Sequence, residues 1–137
     1  MGIKGIWVTV NSEPKQLAED LRVNCYTDAF IFASGYDKKF GEMVGVLHSV
    51  GVRAHLCIDC FSSCVPTDTD RIKSIIDEVA FASDNFGIDG YNLDFIRYSS
   101  WGFFKKHNIT SACNYIVENL RKYKLTSSAS LKMELYN

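Results

Sequence analysis

Gly87-Ile88-Asp89-Gly90-Tyr91-Asn92-Leu93-Asp94-Phe95-Ile96-Arg97-Tyr98 is the stretch whose reading decides the fold. Asn92 and Asp94 share one face at the two-residue period of a strand, while Tyr91, Leu93 and Phe95 share the other. The pattern predicts a buried strand with apolar side chains toward helices and polar ones toward a polar centre. A carboxylate in such a place costs free energy unless something pairs or uses it, and this singles out Asp94.

Upstream, Thr69 to Asn85 places Ile72, Ile75, Ile76, Val79 and Ala80 at helical spacing, with Gly87 as the stop. Arg53 to Phe61 reads as a strand. Asp37 to Val50 reads as a helix with Phe40, Met43, Val44 and Leu47 on one side and Gly51 at its end. Ala29 to Ser34 and Ile3 to Val10 are two earlier strands, separated by a helix from Pro14 to Val23 with Ser12 as its expected cap. Downstream, Thr110 to Tyr123 repeats the helical period through Ala112, Cys113, Ile116, Val117 and Leu120. Ser128 to Leu135 then reads as a fifth strand.

Strand and helix alternate along a chain with no Pro- or Gly-rich linker, which predicts one α/β domain over residues 1–137 built on a parallel sheet. An open doubly wound sheet and a (β/α) barrel both fit the alternation. The turn after the first strand, Val10-Asn11-Ser12-Glu13-Pro14, has neither GxGxxG nor a phosphate loop, which weighs against a nucleotide fold. A complete barrel has eight units in about 250 residues. About five units are expected here, so the sequence reads as the N-terminal portion of a TIM-type (β/α)8 barrel. A second chain or a C-terminal half is then expected to complete it.

Bulk composition narrows the function classes. The 137 residues are 47% hydrophobic and 13% aromatic, enough for one core. Fifteen basic and sixteen acidic residues leave a net charge of -1 without a basic block, so nucleic acid is not an expected partner. No run approaches the roughly 20 apolar residues that span a bilayer, and MGIKGIWVTV lacks a signal-peptide pattern. The expected location is cytoplasmic, or extracellular if a leader has been lost. Cys25, Cys57, Cys60, Cys64 and Cys113 are an odd set, read as reduced thiols.

Asp89-Gly90-Tyr91-Asn92-Leu93-Asp94-Phe95-Ile96-Arg97-Tyr98 resembles the fourth-strand signature of glycosyl-hydrolase-like (β/α) barrels, roughly D-G-[aliphatic]-[H/N]-L-D-[Y/F]-I-R-Y. Lys4-Gly5-Ile6-Trp7-Val8 looks like the first strand of that family and Gly51-Val52-Arg53-Ala54-His55 like its third-strand entrance. Ser128-Ala129-Ser130-Leu131-Lys132-Met133-Glu134 resembles a fifth strand that ends in an acid. The chitinase-like family 18 barrels, with a fourth strand of the form D-G-x-D-x-D-x-E, are a more distant likeness, because Ile96 occupies the place of their catalytic Glu. The resemblance implies a protein that acts on a polysaccharide or glycan by acid–base hydrolysis without a cofactor. A noncatalytic carbohydrate-binding or scaffold domain is the alternative, and a cysteine-ligated metal protein is a distant third.

Sites in such folds lie at the carboxyl ends of the strands, which directs attention to Asn11, Ser34, Asp59, Asp94, Arg97 and Glu134. By resemblance, Asp94 is the nucleophile or base and Glu134 the acid. Asn92, Arg97, Tyr98, Asp59, His55 and Trp101 are the expected substrate-binding residues. The ordinary readings stand beside these: Asp94 paired with Arg97, Glu134 in solvent, His55 as a hydrogen-bonded core histidine, and aromatics that merely cover the core. Asp89 reads as a loop acid accepting from backbone N–H groups. Cys57-x2-Cys60-x3-Cys64 has metal-ligand spacing, but strand alternation turns Cys57 and Cys60 to opposite faces, so no metal is expected.

Overall fold

The computed structural model describes residues 2–32, 38–94 and 106–130. Its elements run β1 (Gly5–Thr9), α1 (Pro14–Val23), β2 (Asp28–Phe32), α2 (Lys38–Ser49), β3 (Arg53–Asp59), α3 (Thr69–Phe86), β4 (Gly90–Asp94), α4 (Lys106–Leu120), a 3-10 turn (Arg121–Tyr123) and β5 (Thr126–Ala129). All five strands are parallel and lie in the order β1-β2-β3-β4-β5.

That order separates the two architectures. A doubly wound sheet reverses its strand order and is covered by helices on both faces. Here the order never reverses, and a single strand face supplies the core: Val8, Ala29 and Ile31, Ala54, Leu56 and Ile58, and Tyr91 and Leu93. Leu21 of α1, Phe40 and Leu47 of α2, Ile75 and Val79 of α3, and Ile116 and Leu120 of α4 pack against that face at 0–1% exposure. Each such side chain stabilises the fold by about 1.5–3 kcal/mol when removed from water. The sheet is the wall of a TIM-type barrel, with helices outside and the opposite face turned inward. Among the described residues, no helix is long and apolar enough to cross a membrane.

Several boundaries differ from the sequence reading for local reasons. Helix α1 spans Pro14–Val23 as expected, but Ser12 does not cap it: its N–H closes a turn on the Thr9 carbonyl (3.2 Å). Glu13 takes the role, its carboxylate accepting from the N–H groups of Gln16 (2.6 Å) and Lys15 (3.3 Å), with Pro14 at the first helical position. Asp68 caps α3 through the N–H of Arg71 (3.0 Å), and Gly87, at φ 63°, ends it. The fourth helix gives way to the 3-10 turn, after which Lys124 turns left-handed (φ 55°) and the chain enters β5 already at Thr126. The fifth strand spans Thr126–Ala129, starting two residues before the expected Ser128, and residues 131–135 of its expected range lie outside the described residues.

The parallel register orders the inward face into rows. From the amino end these are Gly5, Asp28 and Arg53; then Trp7, Phe30, His55, Gly90 and Thr126; then Thr9, Phe32, Cys57, Asn92 and Ser128. Asp59 and Asp94 are paired beyond them at the carboxyl end. Within the second row the bulk of Trp7, Phe30 and His55 is accommodated by Gly90. A Cβ at Gly90 would collide with Nδ1 of His55 and stand 2.5 Å from the Thr126 carbonyl oxygen, one a buried ring and the other backbone. Gly90→Ala is expected to lower stability by about 1–3 kcal/mol through overpacking. Urea unfolding monitored by circular dichroism checks this, and an unchanged midpoint would mean that the ring and the β5 backbone do not close on Gly90.

Candidate functional site

Alternation along β3 and β4 turns Cys57, Asp59, Asn92 and Asp94 to the face without helices. The C-terminal residues of the two strands, Asp59 and Asp94, are direct register partners, Asp59 exposed and Asp94 half-buried. Asp59 is oriented by the loop that follows it: its carboxylate accepts from the N–H of Ser62 (3.0 Å) and from the Ser62 hydroxyl. The Arg71 guanidinium of α3 donates to the carbonyl oxygens of Cys60 (3.0 Å) and Asp59, which anchors the strand end to the helix layer.

The row beneath is polar but closed. Asn92 is 3% exposed, and its amide is spent within the sheet. Oδ1 accepts from the Ser130 hydroxyl (3.0 Å) and the Cys57 thiol (3.6 Å), and Nδ2 donates to the Ser128 hydroxyl (2.9 Å). These bonds tie β3, β4 and β5 together at one level and satisfy a polar group that would otherwise destabilise the buried face. Burial pushes the Cys57 thiol up to about 12, with the nearby charges of Asp94 and Asp59 acting in the same direction. Cys57 is thus held as a neutral thiol beneath a pair of carboxylates.

His55 is further down, two rows below Asp59. It is 2% exposed, stacks on Phe30 (centroids 4.8 Å apart, 27° between planes), and approaches Asp28 through Nε2 at 2.6 Å. A carboxylate can only accept, so Nε2 carries a proton. Nδ1 is buried and has no hydrogen-bond partner among the described residues.

Asp28 is fully buried and collects the Thr27 hydroxyl (2.6 Å), the His55 ring and both arms of a forked Arg53 guanidinium, Nε at 2.9 Å and Nη2 at 3.0 Å. Burial alone would raise its pKa. The hydrogen bonds from Thr27, Arg53 and His55, with the positive charge of Arg53, outweigh it and hold the carboxyl below its ordinary value of 3.8.

Of the residues singled out from the sequence, Asp59, Asp94 and Asn92 come together at the carboxyl ends, and His55 stands apart in the Asp28 network at the amino side. Asn11 leaves β1 into a separate shallow cleft with Val10, Ser12, Pro14, Lys39 and Glu42. Arg97, Tyr98, Trp101, Ser34 and Glu134 lie outside the described residues. Asp89 accepts the Ala54 N–H (2.8 Å) and meets His48 Nε2 at 2.7 Å, the backbone-directed role read from its loop position.

Cys60 packs in the helix-side core while Cys57 is on the other face of the sheet, and no three His, Cys, Asp or Glu residues among those described are grouped to hold a metal ion. Asp28 went unnoticed in the sequence. Its signal was positional: it opens a strand whose register partner carries Arg53, with His55 two residues further on the same face.

No family model matches the sequence, and no curated protein matches it. Solved structures do resemble its fold. A noncanonic maltogenic α-amylase, AmyB, from Thermotoga neapolitana superposes with a TM-score of 0.64 at 9% identity, over 93% of this chain and 45% of that one. A xylose isomerase domain protein from Planctomyces limnophilus gives 0.60 at 12% identity, over 96% and 55%. The chain thus spans about half the length of these barrels. At such identities the likeness shows a TIM-barrel fold.

Two outcomes follow from the charges on the inward face. Asp28 has a folded pKa below its unfolded one, so its contribution to stability is present above about pH 4 and is lost as pH falls through the folded value. Asp28→Asn is expected to cost about 2 kcal/mol at neutral pH and to flatten the acid limb of stability against pH, as read from urea midpoints. For the thiols, exposed Cys25 is expected to react with a disulfide reagent at once, and Cys57 and Cys60 only on unfolding. Mass mapping of time-resolved labelling checks the order, and early modification of Cys57 would contradict its burial.

Proposed function

We propose that the protein is glycoside-hydrolase-like and cleaves a glycosidic bond of a polysaccharide or glycan by acid–base chemistry at strand-end carboxylates. The observation that carries this reading is Asp94 at the carboxyl end of β4, on the helix-free face, with Asp59 as its register partner. The fourth-strand likeness to glycosyl-hydrolase-like barrels supports it, and a maltogenic α-amylase among the similar folds is compatible with it.

Hydrolysis of this kind requires two carboxyl groups, about 5–5.5 Å apart where configuration is retained and about 6.5–9.5 Å where it is inverted. Adjacent strands are about 4.7–4.9 Å apart, so acids at paired positions on one face start within reach of the shorter separation. Asp94 acts as nucleophile or base in this proposal. Glu134, by resemblance, or Asp59, by register, protonates the departing oxygen. Arg97, Tyr98 and Trp101 follow Asp94 closely enough in sequence to bind the sugar, a guanidinium through hydroxyls and aromatic faces through stacking. Asn92 supports the floor of the site from below, while His55 is engaged with Asp28 at the amino side.

The test is Asp94→Asn in the complete protein, assayed on a glycan panel. A drop of about 10²–10⁴-fold in kcat/KM with an unchanged unfolding midpoint is expected; undiminished hydrolysis would remove Asp94 from the chemistry. Asp59→Asn and Glu134→Gln then identify the proton donor. Loss of the donor spares substrates with a good leaving group and penalises those with a poor one, a contrast that a purely structural defect does not produce.

A further inference from the structure

The Asn92 amide fixes the direction of every hydrogen bond around it. Ser128 has a single hydroxyl proton, which it gives to the Tyr91 carbonyl oxygen at 3.4 Å, so it can only accept from Asn92, and the group facing it at 2.9 Å is Nδ2. Oδ1 then points the other way. It carries lone pairs alone, so the Cys57 thiol (3.6 Å) and the Ser130 hydroxyl (3.0 Å) both donate to it. Ser130 has thereby given up its only proton and keeps two lone pairs. Among the described residues no donor reaches them.

Ser130 stands where a ligand of the strand-end carboxylates would lie. Its N–H bonds the Leu93 carbonyl oxygen (3.0 Å), which continues the ladder of β5 one step past the pair Leu93 and Ala129 and sets Ser130 level with Asp94. Alternation from Thr126 and Ser128 turns its side chain to the inward face. Ser130 is half-buried, as is Asp94. The carboxyl ends of β3, β4 and β5 therefore place Asp59, Asp94 and Ser130 in one row, on strands about 4.7–4.9 Å apart. Asp59 already takes donors from Ser62. The Ser130 oxygen offers acceptance alone. A molecule lying along this row displaces water from that oxygen and must replace the donor it removes.

We infer that Ser130 is a substrate-binding residue: its oxygen accepts a hydrogen bond from one hydroxyl of the sugar held against Asp94, and the site selects sugars on which that hydroxyl is free. This role rests on the glycan reading of the same site. A sugar that lacks the hydroxyl, or carries it as an ether, brings no donor and leaves the Ser130 lone pairs unpaired.

The experiment takes the complete protein and compares wild type with Ser130→Ala, Ser130→Thr and Ser128→Ala. The probes are the p-nitrophenyl glycoside of the sugar that a glycan panel selects and its set of monodeoxy analogues. Ser130→Ala is expected to lower kcat/KM about tenfold on the parent sugar and on every analogue but one. On that one, which lacks the bonded hydroxyl, wild type is itself slow and the variant equals it. Ser130→Thr keeps the oxygen and restores the parent value. Ser128→Ala disturbs the Asn92 amide from its other side and shifts all the substrates by one factor. An equal loss on every analogue with Ser130→Ala, or no loss on the parent sugar, would overturn the inference. Asp94→Asn separates this outcome from the catalytic reading. An analogue-specific loss with Asp94→Asn still active upholds Ser130 and removes Asp94 from the chemistry; an even loss with Asp94→Asn inactive does the reverse. For a protein that binds glycans without cleaving them, dissociation constants of the free sugar and its deoxy forms are expected to show the same pattern. A protein that neither binds nor cleaves any of them overturns both readings.

Discussion

Every connection between successive strands passes over the same side of a parallel sheet, and the rest of the structure depends on that one-sidedness. Because neighbours in sequence are neighbours in space throughout β1-β2-β3-β4-β5, each helix lands beside the last and the apolar residues of alternate strand positions need face only one layer. The other alternate positions are thereby released from the helix-packed core. They carry Asp28, Arg53, His55, Cys57, Asn92, Asp59 and Asp94, a density of polar side chains that a sheet covered on both faces would not tolerate.

The two ends of that face treat charge in opposite ways. At the amino side the Asp28 carboxylate is enclosed and fully engaged, with Thr27, Arg53 and His55 supplying donors to both oxygens. Its worth is structural: it joins β2 to β3 and makes the burial of an acid and an imidazole tolerable. At the carboxyl side Asp59 is exposed and Asp94 is half-buried, and the donors that orient Asp59 come from its own loop. Between them Asn92 spends its amide on Cys57, Ser128 and Ser130 and separates the engaged end from the accessible one. Barrel enzymes divide their labour in the same direction, stability at the amino ends and chemistry at the carboxyl ends.

How far this could be read from residues alone varies with the range of the interaction. The strand–helix alternation and the face assignments of Asn92 and Asp94 were legible because a two-residue period is local, and Gly87 announced the end of α3 by its need for a left-handed turn. The end of the fourth helix carried no glycine. Lys124 makes the left-handed turn there, and the start of β5 was consequently read too late. The cap of α1 was misread by one residue because Ser12 has the commoner capping side chain, yet the first intrahelical bond, from the Leu17 N–H, is accepted by the Glu13 carbonyl. Asp28 and the fit of His55 over Gly90 were illegible, since both arise from pairing between strands and no spacing within one strand records them.

Register also bears on which acid faces Asp94. The partner from sequence likeness, Glu134, lies outside the described residues, which follow β5 only as far as Ser130. Asp59 is within them: β3 is seven residues long and runs level with β4 to the pair Asp59 and Asp94. The cause of that length is visible in the packing: Cys60 and Phe61, just beyond Asp59, are buried at 2% exposure, and Arg71 holds the turn by its carbonyl oxygens. A strand end fixed into the helix layer in this way presents its terminal carboxylate with little freedom to move. Catalytic groups require such preorganisation, since each ångström of misplacement is paid in rate. On the inward face, therefore, the acid that stands beside Asp94 among the described residues is the one on β3.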